Sequence, residues 1–156
     1  MSVVIRTASF PHDAGSVSAL VGDYLRRTEA EKAEHGLVDP RAAMPARYTR
    51  EIDDPATVFA DRRVLVAAVD GVDCGVLAVG SSGGVTEISR FWVTPGARGH
   101  GVGSALLTAA LRGATQPVHL SVWEWREPAL RMYRTAGFGI VPPWDERPGL
   151  VCLELR

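Results

Sequence analysis

The segment Val93-Thr94-Pro95-Gly96-Ala97-Arg98-Gly99-His100-Gly101-Val102-Gly103-Ser104-Ala105-Leu106-Leu107 places glycines between two regular elements. Before it, Val85 to Val93 is rich in β-branched and aromatic residues and reads as a strand that Thr94-Pro95-Gly96 halts. After it, Val102, Ala105, Leu106, Ala109 and Ala110 share one face of a helix, and Gly113 closes that helix. The first N–H groups of a helix have no intrahelical partner, and the helix dipole is positive there. Glycine lets the backbone approach a bulky anion closely. With Arg98 beside it, the turn reads as a pyrophosphate cradle. It is not a P-loop, which needs Gly-Lys-Ser/Thr. It is not a Rossmann turn either. The third glycine of that pattern falls on Leu106 counting from Gly101, and on Ser104 counting from Gly99.

Outward from the turn, Arg63 to Val69 and Cys74 to Val79 read as a hairpin about Asp70-Gly71, and Ser81-Ser82-Gly83-Gly84 turns the chain into the Val85 strand. Ser2 to Ala8 reads as an edge strand. A helix opens at Pro11-His12-Asp13, with Val17, Leu20, Val21, Tyr24 and Leu25 on its apolar face, and continues through a polar stretch to a stop at Gly36. Asp39 to Pro55 is a helical or irregular piece with no catalytic pattern. Beyond the phosphate helix, Val118 to Trp123 is a strand. Pro128 suits the first position of a helix on which Ala129, Met132, Tyr133 and Ala136 share a face, and Gly137 ends it. Phe138 to Val141 and Leu150 to Leu155 are final strands around a proline-rich loop. The order predicts a mixed α/β fold, with residues 1–156 as a single domain.

Composition narrows the function. The chain has 156 residues, 46% hydrophobic and 22% charged, which suits a globular domain with one core. A net charge of -1 gives no basic excess to attract nucleic acid or an anionic membrane. Cys74 and Cys152 lie in apolar runs without Cys-x-x-Cys spacing and read as reduced core thiols, so no metal site is expected. Lys32 is the only lysine, which reads as a composition bias. The absence of a signal-peptide pattern and of any apolar run of roughly 18 residues predicts a cytoplasmic protein.

The run Arg98-Gly99-His100-Gly101-Val102-Gly103-Ser104, placed between strand and helix, resembles the coenzyme A motif of the GNAT N-acetyltransferases. The likeness extends to the strand at Leu120-Ser121-Val122 and to Ala129-Leu130-Arg131-Met132-Tyr133, a helix ending in Gly137-Phe138. It covers about Val64 to Phe138. It implies a mixed, mostly antiparallel sheet of about seven strands, splayed into a V and flanked by helices. It further implies that backbone groups of Phe91, Trp92 and Val93 pair with pantetheine, while amides from Arg98 to Ser104 hold the pyrophosphate. Acetyl-CoA would be the cosubstrate, and a small-molecule or peptide amine the acceptor; homodimers are common in the family. Where many members carry an asparagine, this chain has Arg126. It can reach cofactor or substrate, or merely sit exposed at a helix start.

Amide formation needs a base, because an alkylamine is protonated at neutral pH, and an acid for the leaving thiolate. The resemblance assigns the acid to Tyr133, since the family uses a tyrosine there. It assigns the base to Glu87, directly or through water, with a charge-based hold on a cationic acceptor as the rival role. His119 is a weaker candidate, and Trp123, Glu124 and Trp125 can shape an acceptor pocket. The expected function is acetyl transfer to a primary amine. The alternative is a non-catalytic acyl-CoA sensor that kept the fold.

Overall fold

A computed structural model describes residues 2–156. Seven strands form one sheet in the order β1-β2-β3-β4-β5-β7-β6. They are β1 (Val3–Thr7), β2 (Arg63–Val69), β3 (Val72–Ser82), β4 (Val85–Val93), β5 (Val118–Trp123), β6 (Gly139–Ile140) and β7 (Leu150–Leu155). The helices are α1 (Ala14–Glu34), α2 (Ala46–Asp53), α3 (Pro55–Val58), α4 (Val102–Leu111) and α5 (Glu127–Thr135). All neighbouring strands run antiparallel except β4 and β5. The hairpin turn is tighter than the sequence pattern indicates. Asp70 and Gly71 both take positive φ, 51° and 81°, so pairing continues to Val69 and Val72. Pro128 is the second residue of α5 rather than the first. Among the described residues, no helix is long and apolar enough to cross a membrane.

Alternation along β2 builds two cores. Leu65 and Ala67 face Val102, Leu106 and Ala110 of α4; Val64 and Val66 face Val17, Val21 and Leu25 of α1. Gly75 on β3 lets α4 close down, since a Cβ there would lie 2.8 Å from Leu106 Cδ1. The polar second half of α1 is not a solvated face: Thr28 and Lys32 are both buried.

Two irregularities position the site. β4 and β5 pair only at Thr86↔Val118 and Glu87↔His119, and then diverge. Next, Ser89 pairs with Ala78 and Trp92 with Val76, so Arg90 and Phe91 together oppose Leu77 in a β-bulge. Arg90 sits at φ 54° and is held by Glu51 of α2, whose carboxylate accepts two bonds of 2.6 and 2.7 Å. The bulge returns Phe91 to the α4 core and turns Trp92 to the α1 core.

Arg6 ties β1 to β3, donating to Asp73 at 2.8 and 2.9 Å, while Ser16 of α1 adds a bond of 2.7 Å. The Arg6 guanidinium lowers the Asp73 carboxyl to about 2. A depressed folded-state pKa stabilises above the unfolded value, about 4, and the contribution fades as pH falls towards 2. Asp73→Asn is therefore expected to cost about 1 kcal/mol near neutral pH. Urea unfolding checks this: the gap from wild type should narrow steadily as pH drops below about 4.

Candidate active site

The divergence of β4 and β5 opens a cleft of about 610 Å³, bordered by α1, the start of α4 and α5. At one end of it, Gly101 precedes α4 at φ 80°, and no side chain caps the helix. A Cβ on Gly99 or Gly101 would meet nothing within 4 Å, so the space before the helix is open. Arg98, Gly99, Gly101, Val102, Gly103 and Ser104 all line the cleft. His100 is exposed and does not. Arg98 donates from Nε to the Val93 carbonyl at 3.0 Å, and its guanidinium lies 4.6 Å over the Trp92 ring. Desolvation, then repulsion from Arg126, lowers its pKa. Phe91, Trp92 and Val93 form the β4 wall, which β5 has left unpaired. The Trp92 indole N–H is buried in that wall without an acceptor among the described residues.

Tyr133 of α5 also lines the cleft and is 5% exposed. Its ring packs 5.9 Å from Phe91 and 6.1 Å from Phe138. Burial pushes the phenol well above its ordinary value, and Tyr24 adds to the rise. Among the described residues its hydroxyl has no hydrogen-bond partner, so it stays protonated and free to donate.

Arg126 is not a loose arginine at a helix start. It lines the cleft while donating from Nε to Glu31 at 2.9 Å and from Nη2 to Thr28 at 2.8 Å. Trp125 donates to the same Glu31 oxygen at 2.8 Å. Burial works to raise the Glu31 carboxyl, but Trp125 and Arg126 outweigh it and the net shift is downward. These bonds strap α1 to the β5–α5 turn, which is work a shorter asparagine side chain would not do in this form. Glu87 stands apart from the residues named so far. It occupies the last β4–β5 pair, where the strands begin to diverge. Ile88 faces the α4 core, so Glu87 and Ser89 project from the opposite side of β4. Ser89 lines the cleft; Glu87 is exposed and does not. His119 beside it donates or accepts at 2.8 Å with Glu154 and stacks on Trp144, away from the cleft lining.

The profile of the Acetyltransferase (GNAT) family matches residues 25–138. The chain belongs to the GNAT family. Among solved structures, this GNAT chain resembles the PaiA N-acetyltransferase of Thermoplasma acidophilum in complex with coenzyme A. The TM-score is 0.74 at 18% identity, covering 100% of this chain and 99% of that one. It also resembles yncA of Salmonella typhimurium, solved with its cofactor acetyl-CoA, at TM-score 0.69 and 18% identity over 100% and 94% of the two chains. The splayed seven-stranded sheet is thus the GNAT fold. In sequence, it is 31% identical over 100 residues to an IAA acetyltransferase of Azospirillum brasilense. That match spans 60% of this chain and 65% of the relative, just under two thirds of the relative's length.

Pattern reading passed over part of this GNAT cleft. Tyr48 and Lys32 line it, and Glu51 fixes the Arg90 bulge, although Asp39 to Pro55 carries no motif. Asp145 pairs with Arg147 at 2.8 Å. The one usable signal was Lys32, a lone lysine in a chain that otherwise uses arginine.

Proposed function

We propose that this GNAT chain moves the acetyl group of acetyl-CoA to a primary amine, whose nitrogen attacks the thioester directly. The observation that carries this reading is the largely buried Tyr133, whose hydroxyl bonds to none of the described residues, in the same cleft as an uncapped, open helix N-terminus. The residues present fit the cosubstrate. The free N–H groups of the first α4 turn and Arg98 would hold its phosphates, and the unpaired β4 edge at Phe91 to Val93 would receive its pantetheine arm. The two solved relatives bind coenzyme A or acetyl-CoA at comparable overall fold.

In this reading the amine forms a C–N bond as the thioester C–S bond breaks. Tyr133 gives its proton to the departing sulfur. Glu87, outside the cleft lining, takes the amine proton through water. Arg126 keeps α1 closed over the β5–α5 turn. Acetyl-CoA at about 100 times its dissociation constant should stabilise the fold by roughly 2.7 kcal/mol. Thermal melting checks binding, and thiol release with an amine panel checks transfer. Protection without thiol release on any amine would favour an acyl-CoA sensor instead.

Glu87→Gln tests the base. Turnover at saturating amine should fall at neutral pH and partly recover as pH rises, because solvent then supplies more free amine. A raised Michaelis constant for the amine with turnover preserved would make Glu87 a binding group. Unchanged constants would remove it from the reaction.

A further inference from the structure

Phosphate binding does not account for all the positive charge of the cleft. The phosphate turn lies between β4 and α4. Lys32 of α1, Arg90 of the β4 bulge and Arg147 of the β6–β7 loop line the same cavity from other elements. They gather about two rings. Lys32 Nζ lies 5.6 Å from the Tyr48 ring centre and 5.2 Å from that of Trp123. Arg90 Cζ lies 5.6 Å from Tyr48, and Arg147 Cζ 5.4 Å from Trp123. A fourth cation, Arg47, sits 4.7 Å over Tyr48 and donates to its hydroxyl at 3.0 Å.

Carboxylates anchor three of the four: Glu29 holds Lys32 at 2.9 Å, Glu51 holds Arg90 at 2.6 Å and Asp145 holds Arg147 at 2.8 Å. Of those carboxylates only Glu29 lines the cavity, and the other lining acid, Glu31, is engaged by Arg126. With Arg47, four cations therefore gather here against three carboxylates, an excess of one positive charge. The anchors leave donors over. Lys32 has three N–H bonds and Glu29 takes one; Arg90 has five and Glu51 takes two. Lys32 is 7% exposed, so its charge is poorly screened by water. Tyr48 reports the excess. Burial works to raise its phenol, yet Arg47, Lys32 and Arg90 bring it below its ordinary value.

We propose that Lys32, Arg90 and Arg147 form an oxyanion subsite, and that the acetyl acceptor is a small amine that also carries an acidic group, as an amino acid does. The word acceptor rests on the acetyl-transfer reading; the subsite does not. Charge-assisted hydrogen bonds from these donors would hold the carboxylate, while the same field repels a polyamine.

Calorimetry on the full chain saturated with coenzyme A tests the subsite without turnover. The panel holds the common amino acids, their neutral amides, aminoalkylphosphonates and spermidine. At least one acid-bearing amine should bind about 10- to 100-fold tighter than its amide. The phosphonate arm tells whether carboxylate or oxyanion charge in general is read. Arg147→Gln, in an exposed loop, should shrink that preference to about 2-fold with the melting temperature unchanged; Lys32→Met should do the same if it folds. Equal affinity for acid and amide, tighter spermidine, or no binding by any acid-bearing amine would overturn the subsite. Thiol release is read in parallel. Acid-selective binding without thiol release would sink acetyl transfer and keep the subsite. Transfer with equal efficiency to acids and amides would do the reverse.

Discussion

The Tyr133→Phe variant is expected to lose about 10²- to 10⁴-fold in turnover while binding acetyl-CoA with near wild-type affinity. The substitution removes one oxygen and keeps the ring against Phe91 and Phe138. The hydroxyl bonds to none of the described residues, so its loss strands no buried partner, and stability should change by less than about 1 kcal/mol. The expected loss is therefore one of chemistry and not of fold. The pH dependence follows from the same burial. Tyr133 must be protonated to act as an acid, and its pKa is raised, so its contribution holds from neutral pH upward past the ordinary tyrosine value of about 10. An alkaline fall in wild-type turnover near pH 8 would belong to another group. Stopped assays of thiol release with saturating amine, paired with calorimetric coenzyme A affinity, separate the two effects. Wild-type turnover in the variant would return Tyr133 to a packing role, and lost coenzyme A affinity would make it a binding residue.

The parts of this protein that local chemistry dictates were readable before any coordinates. The turn before α4 was legible as a turn because closely spaced glycines fall between a strand and the start of a helix. The strands β5 and β7 were legible because each is a short, mostly apolar run that begins directly after a breaker, Pro117 or Gly149. What could not be read depends on partners far apart in sequence. The Arg90 bulge exists because Glu51, 39 residues away, waits for that guanidinium. Arg126 is a strap only because α1 presents Glu31 and Thr28 to it, 95 and 98 positions earlier. Lys32 reads as composition until Tyr48 and Trp123 are seen on either side of it. The same limit applied to Glu87. The strand was correct, but Glu87 lies on the face opposite Ile88 and outside the cleft lining, and that depends on which side of β4 α4 packs.

Gly101→Val is expected to weaken coenzyme A binding by about 100-fold or more, with helix and sheet content retained. Two effects act, and they must be told apart. The first is backbone strain. Gly101 sits at φ 80°, where a β-branched residue is disfavoured by about 1–2 kcal/mol or more. The second is occlusion. Its Cβ would enter space that the protein itself leaves empty to 4 Å, in front of the uncapped N–H groups of α4. A bulky anion held by those groups would lose several charge-assisted hydrogen bonds, each worth about 1.5–3 kcal/mol. Gly36→Val supplies the control. Gly36 follows α1 at φ 73°, also meets nothing within 4 Å, and lies outside the cleft lining. It should carry the strain without the occlusion. The expected pattern is a similar drop in melting temperature for both variants and a loss of coenzyme A affinity for Gly101→Val alone. If both variants bind coenzyme A as wild type does, the turn is not the phosphate site. If both lose affinity alike, the loss reflects general destabilisation, and the free α4 amides do not contact the ligand.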